Sequence, residues 1–166
     1  MLRLTHLALL CFVAIQLAAC GSYRPLYGKG PDGTSVAGSL ASLSVEEQHS
    51  RAGQLLRNEL LDGAGTGQAR FSLKLVVTER VIDVANLSSS SAARKRYNLA
   101  AHYEMVDMAT SKPVTNGDSF SNVEFDVLNI PVSDLIAAEN AKSRAAKELG
   151  QDIKLRLAAF LSSQKG

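Results

Sequence analysis

Residues 70–84 read RFSLKLVVTERVIDV, and they decide the fold class. Phe71, Leu73, Leu75 and Val77 recur at every second position, while Ser72, Lys74, Thr78 and Arg80 fill most of the places between. Successive side chains of a strand point to opposite faces, so this alternation predicts a strand with one apolar and one wet face. Val76 is the exception. Beyond Glu79-Arg80 the parity reverses at Ile82 and Val84, and a bulge or strand end there is the expected cause.

Downstream of the serine cluster at Ser88–Ser91, the alternation resumes over Lys95–Met108. Tyr97, Leu99, Ala101, Tyr103 and Met105 share one face; Arg94, Arg96, Asn98, His102 and Glu104 share the other. Thr110–Gly117 contains Pro113 and Asn116-Gly117, which predict a turn. Phe120–Val127 then reads as a last strand with Val123, Phe125 and Val127 inward. Three strands joined by loops are expected to be antiparallel neighbours with one solvated face.

Two helical patterns flank these strands. Upstream, Ala52, Leu55, Leu56 and Leu60 mark one face of a helix over Glu46–Leu61, with Ser44 as its cap and Glu46 and Glu47 in its first turn. A short strand is expected before it, over Val36–Val45. Downstream, a helix starting at Ser133-Asp134 carries Leu135, Ala138, Ala141, Ala145, Leu149, Ile153, Leu157 and Phe160 at three- and four-residue steps. Gly150 weakens it and could mark a bend. A coiled coil is the rival reading, but one-sided strands call for a covering layer. The expected fold is therefore α+β: a two-layer sandwich, residues 36–166, with about four mostly antiparallel strands and two helices on one face. The order is β-α-β-β-β-α.

Composition narrows the chemistry. A formal charge of +2 over 166 residues, with no tryptophan, argues against a nucleic-acid-coating protein. His49 and His102 stand in separate elements without metal-ligand spacing. Gly63-Ala64-Gly65-Thr66-Gly67 lacks the Lys-Ser/Thr ending of a phosphate loop and follows a helix. No nucleophile elbow or carboxylate pair is apparent, so neither catalysis, a metal nor a cofactor is expected.

The N-terminus is more informative. Arg3 precedes an apolar run, Leu7–Ala19, with the layout of a secretory signal over residues 1–19. It is too short to span a bilayer, which takes about 20 apolar residues. The run ends Leu17-Ala18-Ala19-Cys20, which resembles the lipobox of bacterial lipoproteins. That resemblance implies cleavage after Ala19 and a covalent lipid on Cys20. Cys11 would leave with the signal, so the mature chain would have neither a free thiol nor a disulfide; losing Arg3 takes the formal charge from +2 to +1. Gly21 stands where aspartate commonly retains lipoproteins in the inner membrane, so an outer-membrane address is expected. Residues 20–35 form a tether, with a glycine-rich stretch, GKGPDGTSVAG, beginning at Gly28.

Immediately after Cys20 come Gly21-Ser22-Tyr23-Arg24-Pro25-Leu26-Tyr27-Gly28. With the lipobox, the element order and the Ala-, Glu- and Arg-rich helix around 137–149, this segment resembles the lipopolysaccharide-assembly lipoproteins (LptE), particularly their alphaproteobacterial branch. The resemblance implies a lipoprotein that plugs and helps assemble the β-barrel lipopolysaccharide translocon, contacts lipopolysaccharide, and is lipid-anchored on the periplasmic side of the outer membrane. Tyr23, Arg24, Pro25, Leu26 and Tyr27 are the expected docking strip, against the barrel or the domain's own edge. Arg80, Arg94, Lys95, Arg96 and Lys112, chosen from charge and placement, are the expected lipopolysaccharide contacts. Lys74, Arg80, Arg94 and Arg96 share the polar parity; they can equally be a solvated, aggregation-resistant surface. The competing function is an envelope adaptor or pilot lipoprotein binding another protein complex on its helix face.

Overall fold

The computed structural model describes residues 36–62, 68–86 and 93–164. The signal, Cys20, the Tyr23–Tyr27 strip, the Gly63–Gly67 loop and the serine cluster lie outside these residues.

One four-stranded sheet has the order β1-β2-β3-β4, comprising β1 (Leu43–Val45), β2 (Phe71–Asn86), β3 (Ala93–Asp107) and β4 (Lys112–Val127). The β2–β3 and β3–β4 pairs are antiparallel; β1 runs parallel to β2. Helices α2 (Arg51–Leu61) and α3 (Pro131–Ser163) cover one face, preceded in the chain by a short helix α1 (Val36–Ala41). The expected α+β sandwich and its order are present, with α1 as an addition.

The early elements depart most from expectation. The strand expected over Val36–Val45 is confined to Leu43–Val45, and Val36–Ala41 is helical. Only Leu43 and Val45 have a period-two spacing; Leu40 stands three residues from Leu43 and packs on the core from α1. Helix α2 starts at Arg51, not Glu46. Its cap is Ser50, whose Oγ accepts from the Gly53 amide at 3.0 Å. Glu46 and Glu47 precede the helix because the strand pairing continues past β1: the Glu46 amide donates to Leu73 O at 3.0 Å. Ala52, Gly53, Leu56 and Leu60 are buried on α2, and Leu55 is half-buried.

Within the sheet, Phe71, Leu73 and Leu75 of β2 and Tyr97, Leu99, Ala101, Tyr103 and Met105 of β3 are buried as the alternation predicts. The irregularity of β2 falls between Asp83 and Ala85, not at Glu79-Arg80. Glu79, Val81 and Asp83 keep the same face as Leu73 and Leu75 but lie exposed. The change of pattern reflects the end of the helical cover, not a reversal of the backbone. Glu79 is accommodated there because the hydroxyl of buried Tyr97 donates to its carboxylate. Burial, then this bond, raises the Tyr97 pKa.

The turn after β3 is tighter and earlier than Thr110–Gly117. The Asp107 carboxylate accepts from the amides of Ala109 and Thr110 at 2.9 and 3.0 Å, and Ser111 takes a left-handed φ of 56°. Pro113 and Asn116-Gly117 therefore lie inside β4. Pro113 is tolerated because β4 is an edge strand and the register shifts beside it, between Met105 and Val106. Gly117 is required by packing: a Cβ there would sit 2.6 Å from Tyr103 Oη.

Helix α3 begins two residues before Ser133, with Pro131 at its first position. Ala141, Ala145, Leu149, Ile153 and Leu157 are fully buried against the sheet and α2, which replaces the coiled-coil reading. Phe160 is half-buried, and Leu135, the expected head of the stripe, is 64% exposed. Gly150 sits in a continuous helix: a Cβ would fall 2.6 Å from Glu59 Cγ of α2, so its role is close helix approach. Ser119 and Ser121, small and buried on β4, bring α3 near and donate to Asp152 and Glu148, the latter at 2.7 Å.

Candidate functional site

The sheet face away from the helices carries the charged residues singled out in the sequence. They form a ladder of directly opposed pairs. Arg94 opposes Asp126, with Nε–Oδ1 at 2.9 Å; Arg96 opposes Glu124, with a guanidinium nitrogen at 2.6 Å. Farther along, His102 Nδ1 lies 2.9 Å from Asp118, and Lys74 lies 3.5 Å from Glu104. Opposite charges facing each other across strands stabilise register, but exposed pairs contribute little to global stability. The hydrogen bond to Asp126, the largest cause, holds the Arg94 proton more tightly than usual.

The five expected anion contacts are only partly gathered. Arg80, Arg94 and Arg96 share the outer face toward the β2–β3 connection. Lys95 points to the other face, 3.6 Å from Asp83, as a neighbour of opposite parity must. Lys112 is paired in register with Asp107, so it lies at the opposite end of β3 from Arg94, roughly 40 Å away at strand rise. Of the three that share a face, Arg94 and Arg96 are each held by an acid, whereas Arg80 forms no ion pair with a described residue. Three cations and two anions leave one net positive charge there.

Two features escaped the sequence reading. Phe120, 72% exposed, sits on the outer face opposite Ala100, one row from Val76, the 67% exposed exception in the alternation of β2. The parity of Phe120 against Val123 and Phe125 carried this signal. The second feature is an apolar tip: Leu128, Ile130, Val132, Leu135 and Ile136 are all exposed where β4 passes into α3. Helical spacing alone assigned Leu135 to the core.

The described residues contain no group of His, Cys, Asp and Glu that could hold a metal, and no helix long and apolar enough to cross a membrane. His49 lines a shallow polar cleft of ≈ 330 Å3 with Glu47, Gln54 and Arg57. His102 is engaged with Asp118.

No family model matches the chain, and no curated protein matches it. Solved structures do. A lipoprotein from Caulobacter crescentus is 25% identical with a TM-score of 0.70, over 79% of this chain and 98% of that one. A minor lipoprotein from Acinetobacter baumannii is 12% identical with a TM-score of 0.53, over 70% of this chain and 88% of that one. The fold is that of solved lipoproteins.

Proposed function

We propose that this chain is a lipid-anchored envelope protein of the outer membrane that plugs and helps assemble a β-barrel lipopolysaccharide translocon. The observation that carries the reading is the outer sheet face, open and lined by the ladder from Lys74–Glu104 to Arg94–Asp126. A barrel lumen is polar and water-filled, and a face of exchangeable ion pairs, with the Arg80 guanidinium left solvated, can line such a wall. The lipobox at Cys20 and the likeness to the Caulobacter lipoprotein support the anchor. The protein would act by binding and positioning, without catalysis or a cofactor.

Lipopolysaccharide phosphates are the anions this face would meet. Arg80 is the first contact because no acid need be displaced; Arg94 and Arg96 would exchange a carboxylate for a phosphate. Arg80→Glu is expected to weaken lipopolysaccharide binding more than Arg94→Ala, each measured on folded protein. Equal, unchanged binding in both would return this face to a purely solvating role.

The apolar tip favours a second reading, an adaptor or pilot that binds another envelope complex through Leu128–Ile136. Purification of the tagged chain from outer membranes separates the two. Recovery of a large barrel together with lipopolysaccharide supports the plug, and recovery of another complex without it supports the adaptor.

A further inference from the structure

One cleft stands apart from both surfaces. It opens at the end of the sheet where β2 begins, β3 ends and the last turns of α3 pass over β4, and its volume is ≈ 300 Å3. Phe71, Val114, Phe160 and Leu161 form its apolar wall; Arg70 and Asp107 form its rim. Val114 and Phe160 remain only half-covered, and Met108, whose amide donates to the Arg70 carbonyl at the rim, is 53% exposed. The rim is already organised: the Arg70 guanidinium lies 5.0 Å from the Phe71 ring and 3.9 Å from the Asp107 carboxylate. A space of this size is at the low end for small-molecule sites and suits a few side chains.

We propose that the chain's own Tyr23-Arg24-Pro25-Leu26-Tyr27 strip docks in this cleft. The connection is short and ends at the right place. The Ser42 carbonyl accepts from the amides of Arg70, at 2.9 Å, and Phe71, at 3.3 Å, so the chain from α1 enters the domain at the rim. Helix α1 adds six residues, about 9 Å. Residues 28–35 are glycine-rich and span about 15 Å on average. On average that tether keeps Tyr27 far closer to the cleft than to the apolar tip, about 45 Å from the cleft at the start of α3.

The chemistry matches as well. Tyr23, Leu26 and Tyr27 are the large apolar side chains between Cys20 and Val36. Tyrosine buries a ring while its hydroxyl stays at a wet rim, and Phe160 and Val114 offer that ring a surface. Pro25 limits the freedom the strip loses on docking. Arg24 brings a cation toward Asp107. The docked strip would bring the membrane anchor against the end of the domain and fix the orientation of the elongated sheet relative to the bilayer. This inference is independent of the translocon reading.

Disulfide trapping in membranes carrying the full lipidated chain tests it. Tyr27→Cys is combined with Gln164→Cys at the cleft, or with Ser133→Cys at the far end, and oxidised with copper phenanthroline. Single-cysteine variants set the background. The cleft pair is expected to form an intramolecular bridge about tenfold more than the far pair, whose separation far exceeds the linker's average span. Adding Tyr23→Ala and Leu26→Ala is expected to remove about tenfold of that yield, which distinguishes docking from mere tethering. A cleft pair no better than background overturns the proposal. So does a yield indifferent to Tyr23 and Leu26, or Tyr27→Cys bridging to another protein instead.

Discussion

The two halves of β2 have the same backbone and the same parity but opposite fates. From Phe71 to Leu75 the inward positions are buried under α2 and α3; from Glu79 to Asp83 the same face lies in water. Helix α2 spans only eleven residues and β1 only three, so neither extends over the second half. Strand periodicity tells which way a side chain points. Whether anything meets it there depends on the length of a different element.

The largest effect should separate the halves. Leu56, fully buried on α2 over the first half, loses packing that no neighbour can refill: Leu56→Ala should cost about 3 kcal/mol. Val81→Ala, at a half-exposed site in the second half, should cost less than about 0.5 kcal/mol. Urea unfolding of both variants checks this, and comparable losses would mean that the second half is covered in the native protein.

Gly117→Ala sharpens the same boundary from the adjacent strands. Its Cβ would press on buried Tyr103, which lies opposite Leu75 in the packed half, and about 2 kcal/mol should be lost. A thermal melt indistinguishable from the parent would show that the tyrosine has room to move.

A smaller effect, at the cleft end, depends on pH. The Thr110 amide, followed by Ala109, the Thr110 hydroxyl and Arg70, holds the Asp107 carboxyl below its usual range against some desolvation. Its folded pKa thus lies below the unfolded value. The turn's contribution is complete above the unfolded value, about 4, and is lost as pH falls through the folded one. The stability difference between the parent and Asp107→Ala should shrink below about pH 4. A difference constant to lower pH would remove the carboxylate from the account.

The smallest effect belongs to the ladder. Arg94→Ala should leave the melting temperature almost unmoved, because both partners of its pair are substantially exposed. A large fall would make the outer face a structural element rather than a free surface.

Much of this architecture was readable because strand parity and helical spacing report local geometry. Residues Tyr97 to Met105 and Ala141 to Leu157 are buried as their spacing predicts. What was not readable depends on partners distant in the chain. Ser50, not Ser44, caps α2 because the Glu46 amide is committed to Leu73 on another strand. Asn116-Gly117 reads as a turn locally, but Asp107 had already made one. The basic residues were located by parity, while their neutralisation by Glu124 and Asp126 depends on the β3–β4 register. Charge and placement group Lys112 with them, but the length of β3 separates it from the rest.

Depletion of the chain in its native bacterium tests the central claim most directly, with lipopolysaccharide measured at the cell surface and within the envelope. Surface lipopolysaccharide is expected to fall, with material accumulating inside as the proposed barrel partner fails to assemble. Normal surface lipopolysaccharide after full depletion would contradict it.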